Sequence, residues 1–261
     1  TVIVTEEPVA VDSDFLCVYS ANPNKLAGGY GSSAINTYTA AEAAAKEAEK
    51  AAKEAEKAGI DAHLMVTPYY NKTSQAGLIK HYTFLADRLT KPILIYNVPS
   101  RTGLNVMPET YEALSHHQNI IGVKEADPNI SKLVKSLSLC KNRLSFYTGN
   151  DDLITASAYL GCKGVISVLS NILPQFTHDM TLRAINHDYE SANEMQENVF
   201  DLIEGIFSDV NPIPVKEAMK YLGMDTGYLR GPLCNMSDDK RVKLISVLEK
   251  HRDKLKKEIN I

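Results

Sequence analysis

From residue 59 onward, apolar and polar positions keep a regular beat. Short apolar runs of strand length, bounded by turn or polar residues, stand at 62–66, 92–96, 120–124, 144–148 and 164–168. Between them the apolar positions take helical spacing. Leu78, Tyr82, Leu85 and Leu89 share one face of the segment 74–89. Ile130, Leu133, Val134 and Leu137 share a face of 129–139. Pro108-Glu109-Thr110 and Asp151-Asp152 read as helix starts, with proline or carboxylates in the first turn. Strand, helix, strand in repetition predicts a parallel sheet, an α/β fold. After Val168 the strands stop, and 175–186, 188–207, 212–222 and 238–257 read as helices.

The beginning of the chain does not keep this beat. Residues 2–5 and 15–19 have strand character but only nine residues lie between them. A parallel crossover takes a dozen or more, so a hairpin or irregular cap is expected there. Residues 40–58 are nineteen positions of Ala, Glu and Lys alone, with an EAAAK stretch at 42–46 and the near-repeat KEAEKAA/KEAEKAG. Glu42/Lys46 and Glu49/Lys53 are four apart, Glu47/Lys50 and Glu54/Lys57 three apart, all at helical spacing. This predicts a helix of about 28 Å whose buried stripe holds nothing larger than alanine, and its regularity has an engineered look. The predicted organisation is an atypical strand and loop segment at 1–38, this helix at 39–59, strands and helices at 60–173, and a helical tail at 174–261.

Composition narrows the classes. The chain has 261 residues, 44% hydrophobic and 23% charged, with net charge -4. A pI near 6.0 argues against a nucleic acid or anionic membrane partner. Cys17, Cys140, Cys162 and Cys234 show no metal-type pairing and suit a reducing compartment. No apolar run approaches membrane-span length, and the N-terminus lacks a basic signal start. A cytoplasmic protein is expected.

If the strands are parallel, their C-terminal ends share one face, where active sites of such folds lie. Lys124 closes the run Ile120-Ile121-Gly122-Val123. Its bland reading is a marker of where the strand leaves the core, stem on apolar surface and head in water. Its chemical reading is a nucleophile: an amine among apolar neighbours is freed from its ammonium form. Tyr96 and Arg101 follow the preceding strand, with Tyr69 and Tyr70 at the end of the one before. An amine, a phenol to relay protons and a guanidinium to grip a carboxylate suggest imine chemistry on a keto acid. Alone, Tyr96 is equally a core-filling aromatic and Arg101 a loop ion-pair former. Metal hydrolysis finds no support, since the seven histidines show no HxxxH or HExxH spacing. There is no GxSxG elbow, and Gly28-Gly29-Tyr30-Gly31 misses both nucleotide-binding patterns.

The motifs TPYYNK, YNVPSRTG, GVKEA, GNDD, GVISVLSN and NPIPVK, in this order over about 59–261, resemble the 4-hydroxy-tetrahydrodipicolinate synthase (dihydrodipicolinate synthase) family of pyruvate-dependent aldolases. The resemblance implies a (β/α)8 TIM barrel with a C-terminal helical domain, the runs from 62 to 168 being barrel strands four to eight. It implies condensation of pyruvate with L-aspartate semialdehyde, through an imine on Lys124 and without metal or organic cofactor. By the same resemblance Tyr96 relays protons, Tyr70 completes the relay of a neighbouring copy, and Arg101 binds the semialdehyde carboxylate. Gly149 and Ile166 line the pyruvate pocket, and the protein is a homo-oligomer, dimer or tetramer. The place of Arg101 in PSRTG favours the synthase over the related N-acetylneuraminate lyase. One departure stands out: the family's Gly-Thr-Thr-Gly-Glu motif is absent, so the N-terminal quarter is expected to be rebuilt or truncated. The alternative expectation is therefore an engineered or truncated scaffold with little or no turnover; in a working enzyme Ser20-Ala21-Asn22 is the stretch that would substitute for the threonines.

Overall fold

The computed structural model describes residues 3–5, 34–224 and 226–259. They divide between two compact units, Pro8–Tyr147 and Thr148–Ile261 with Thr1–Glu7. A short strand, β1 (Ile3–Thr5), belongs to the latter. The expected strand at 15–19, the glycine run at 28–31 and the Ser20-Ala21-Asn22 stretch lie outside the described residues.

Among the described residues, α1 (Ala34–Lys57) is the earliest element of the first unit, and it starts six residues before the pure Ala/Glu/Lys stretch. Alanine favours helix because it loses almost no side-chain entropy there. Among its described side chains the buried ones are alanines, Ala52 and Ala55 at 1% and 6% exposure. What fastens it is Glu56, whose Oε1 accepts from the backbone N–H of Thr90 (2.8 Å) and Lys91 (2.9 Å) and lies 3.1 Å from His63 Nε2. Burial opposes the Glu56 carboxylate, but these donors outweigh it and hold its pKa below the usual range.

Then come β2 (His63–Val66), α2 (Gln75–Ala86), β3 (Ile93–Asn97), a four-residue α3 (Pro99–Thr102), α4 (Pro108–Leu114), β4 (Ile120–Glu125) and α5 (Ile130–Cys140). β2 pairs in parallel with β3, and β3 with β4; β5 (Ser145–Thr148) lies next to β4. The helix starts follow local chemistry. Ser74 caps α2 by accepting from Gly77 N, Asn129 caps α5 by accepting from Lys132 N, and Pro108 opens α4 at its first turn. Leu78, Tyr82 and Leu85 are buried as their spacing predicts, and the Tyr82 hydroxyl donates to the Met65 carbonyl at 3.0 Å.

The second unit takes up the chain at the end of β5. A 3-10 turn (Asp151–Leu153) leads into α6 (Ile154–Tyr159), followed by β6 (Gly164–Ile166). Thr148 pairs in parallel with Val165, and β1 runs antiparallel on β6. Every later element among the described residues is helical: a 3-10 turn (Leu169–Asn171), then α7 (Pro174–Ile185), α8 (Tyr189–Glu197), α9 (Phe200–Ile206), α10 (Ile213–Tyr221), α11 (Asp238–Lys250) and α12 (Arg252–Ile259). Two expected long helices are each broken. The segment 188–207 divides at Asn198–Val199, where Val199 leaves helical geometry (φ -129°, ψ 12°) and is buried among apolar neighbours. The segment 238–257 divides at His251 (φ -101°, ψ 12°), whose Nε2 lies 2.6 Å from Asp201 Oδ1. In both places tertiary contacts override a continuous helical period. The unit's core runs from Ile154, Val165 and Leu169 through Leu202, Ile203 and Ile206 to Leu244 and Leu248.

Candidate active site

The five parallel-type runs read from the sequence are the strands β2 to β6, and the candidate residues stand at or just beyond their C-terminal ends. In the ladder between β3 and β4, Tyr96 is the partner of Lys124 and Asn97 that of Glu125. Successive residues of a strand point to opposite faces, so these neighbouring rungs serve two different sides of the sheet.

On the first side, Lys124 Nζ lies 4.5 Å from the centroid of the Tyr96 ring, within cation–π reach. Both side chains are half-buried. Burial pushes the Tyr96 phenol up, and the nearby charge of Arg101 partly offsets it. A phenol kept protonated at neutral pH can donate a proton to a developing oxyanion or hydroxyl. Two residues before Lys124, on the same side, a Cβ on Gly122 would stand 2.7 Å from the Ser145 carbonyl oxygen. Here the close approach of backbone requires glycine inside a strand.

Arg101 is exposed on α3, a helix the sequence reading missed. Its signals were present: Pro99 at the first turn and Gly103 just past the end, in the left-handed region (φ 61°). A Cβ on Gly103 would meet Lys72 Nζ at 2.7 Å, so the loop after β2 lies against the turn after β3. Of the two tyrosines in that loop, Tyr69 is half-buried, its phenol raised by burial, and Tyr70 is 86% exposed.

The other side of the same rungs is a buried polar network, which sequence reasoning did not find. Glu125, 4% exposed, has both oxygens engaged. Oε1 accepts from Asn97 Nδ2 (2.7 Å) and Asp127 N (2.9 Å), and Oε2 from Tyr111 OH (2.9 Å) and Lys132 Nζ (3.3 Å). Lys132 also donates to Asp127 Oδ2 (3.1 Å) and to Asn105 Oδ1. Asn97 Nδ2 reaches Asn105 Oδ1 at 2.9 Å, and Asn97 Oδ1 accepts from Val106 N at 3.1 Å. Burial raises the Glu125 pKa, with Lys132 and the hydrogen bonds pulling against it. Burial also opposes the Asp127 carboxylate, but bonds from Asn105 and Lys132 hold its pKa below the usual range. Period-two alternation alone would have placed Asn97 and Glu125 behind Tyr96 and Lys124.

Gly149 and Ile166 belong to the second unit. Gly149 directly follows β5, and Ile166, 1% exposed, closes β6. Asp151 Oδ2 accepts from Val168 N (2.9 Å) and Leu169 N (3.1 Å), tying the turns after those two strands together. Among the described residues, no group of three or more His, Cys, Asp or Glu could hold a metal ion. No helix among them is long and apolar enough to cross a membrane. The structure thus joins Lys124, Tyr96 and Arg101 in one neighbourhood of the first unit, while Tyr70 projects to solvent.

Comparison with known proteins bears directly on this arrangement. The profile of the Dihydrodipicolinate synthetase family matches residues 32–251, beginning earlier than the motifs alone suggest. The chain is 46% identical over 180 residues to 4-hydroxy-tetrahydrodipicolinate synthase 1 of Clostridium acetobutylicum, covering 69% of this chain and 61% of that protein. Its fold is similar to the crystal structure of dihydrodipicolinate synthase from Aquifex aeolicus (TM-score 0.78, 36% identity, 81% of this chain and 73% of that one). It is similar also to the chloride-inhibited synthase of Acinetobacter baumannii complexed with pyruvate (TM-score 0.76, 34% identity, 78% and 70%). The chain spans less than two thirds of the length of the curated relatives it matches, 61% and 65% for two of them.

Proposed function

The chain belongs to the dihydrodipicolinate synthetase family, and from that premise we propose that it condenses pyruvate with L-aspartate semialdehyde through an imine on Lys124. One observation carries the reading: Lys124 and Tyr96 are ladder partners at the ends of adjacent parallel strands, with the amine 4.5 Å from the ring centroid. The barrel architecture of the family's folds places chemistry at that end.

The steps follow from the groups present. The Lys124 amine attacks the keto carbon of pyruvate, and loss of water leaves an imine. A methyl proton departs to give the enamine, whose carbon bonds to the aldehyde carbon of the semialdehyde. The amino group of that substrate then attacks the imine carbon, closes the ring and releases Lys124 as a free amine. Tyr96, its phenol kept protonated by burial, serves as the proton relay beside the amine. Arg101 grips the semialdehyde carboxylate from the exposed turn after β3. The exposed Tyr70 completes the relay of a second copy, so the working form is a homo-oligomer. Its substrates are small metabolites, the imine lysine takes the place of any cofactor, and its compartment is the cytoplasm.

Intact-mass spectrometry after pyruvate and borohydride tests this, with peptide mapping. A pyruvyl adduct on Lys124, absent from Lys124→Ala, is the expected result. A folded chain that forms no adduct overturns the enzymatic reading and leaves a synthase-derived scaffold. An adduct without turnover on aspartate semialdehyde would confine the activity to imine formation.

A further inference from the structure

A carboxylate that is 4% exposed is an expensive object for a fold. An apolar residue of the same volume is commonly neutral or better for stability at such a place, and a half-satisfied polar network is worse than none. Glu125 is fully satisfied, and its donors come from four different places along the chain. Asn97 is the last residue of β3, Asp127 lies in the turn after β4, Tyr111 is in α4 and Lys132 in α5. Their common effect is to fix one point, the last rung of the β3–β4 ladder. That rung is the immediate neighbour of Tyr96 and Lys124 on both strands. The backbone continues the lock, with Ala126 N donating to Asn97 O at 2.9 Å. Strand ends fray where nothing holds them, and a misplacement of about 1 Å costs an enzyme up to about a hundredfold.

We propose that Glu125 is a positioning residue: its hydrogen bonds to Asn97, Asp127, Tyr111 and Lys132 hold the ends of β3 and β4 in the register that keeps the Lys124 amine over the Tyr96 ring. The inference rests on Lys124 being the imine lysine. Glu125 touches no substrate, since it faces away from the amine by strand alternation. Replacing it by glutamine keeps the volume and an oxygen for Asn97 and Asp127. It also sets an N–H donor against Lys132 and removes the acceptor that Tyr111 and Lys132 share.

The test is the rate of borohydride-trapped pyruvyl labelling at Lys124, measured per folded molecule across a pyruvate series. This separates the maximal rate from the half-saturating concentration. Glu125→Gln is expected to lower the maximal rate about tenfold and to move half-saturation by less than about twofold. Tyr111→Phe, which deletes a single donor, is expected to fall between it and the parent. A purely structural role would lower the melting temperature and leave the rate per folded molecule unchanged, and that result overturns the proposal. So does a raised half-saturation at an unchanged maximal rate. If Glu125→Gln does not fold, Tyr111→Phe decides alone, a parental rate counting against the proposal and a slowed one for it. Failure of the imine reading itself is distinct: the parent chain would then give no adduct at Lys124, and the proposal would fall with it.

Discussion

The two sides of the β3–β4 strand end are built on opposite principles. On one, Lys124 and Tyr96 meet through an amine and an aromatic face, half-buried. On the other, Asn97 and Glu125 sit in a network in which each oxygen of the carboxylate accepts from two donors. Neighbouring residues on the same strands thus divide the labour. One side sets an amine against an aromatic face, and the other commits its polar groups to holding the strand ends in place. The proposed chemistry and the polar lock are separated by the thickness of a single sheet.

The largest effect expected from breaking this division comes from Lys132. It is 8% exposed in its side chain and bridges Glu125 and Asp127. Lys132→Met leaves two carboxylates facing each other without a cation, and chemical denaturation should show a loss of about 3–5 kcal/mol. A loss below about 1 kcal/mol would mean that the network relaxes around the gap.

A smaller effect concerns proton binding in the helices behind the sheet. Burial drives the pKa of His81, in α2, down to about 4 from its ordinary 6.5. Above pH 6.5 both folded and unfolded chains hold it neutral, and its contribution to stability is complete. As pH falls from 6.5 toward 4, the unfolded chain takes up a proton that the folded chain refuses, so stability is lost through that window. The loss amounts to about 3 kcal/mol. His81→Gln should flatten that part of the stability profile, and an unchanged profile would show that other groups govern it.

The smallest effect concerns the side that carries Lys124 and Tyr96. Gly122→Ala would place a methyl group against the Ser145 carbonyl oxygen of the neighbouring strand. A cost of about 1–3 kcal/mol is expected, measurable as a fall in melting temperature. Since the strain lies two residues from Lys124 on the same side, imine formation should weaken in parallel. Unchanged labelling would show that the strand end is insulated from its own interior.

Much of this molecule was legible in its sequence because apolar period and strand length agreed. The five runs from 62 to 168 became strands, and Tyr96 and Lys124 came to face one another because both close such runs. What stayed hidden depended on groups brought together from afar. Asn97, Asn105, Asp127 and Lys132 look like ordinary loop and helix polar residues until the fold buries them around Glu125. The breaks at Val199 and His251 were hidden for the same reason, since a packed neighbour overrides a local period. The short helix carrying Arg101 was different: proline in its first turn and glycine just past its end announced it, in a stretch too short to show periodicity.

The Ala/Glu/Lys helix carries one further consequence. A face of alanines is smooth, and smooth surfaces slide: nothing on Ala52 or Ala55 interlocks like a knob in a hole. Glu56 acts as a detent at the C-terminal end, catching Thr90 and Lys91 through their backbone N–H groups. Because the catch stands at the end that leads into β2, a single residue inserted between Glu56 and His63 would throw the strand out of step with it.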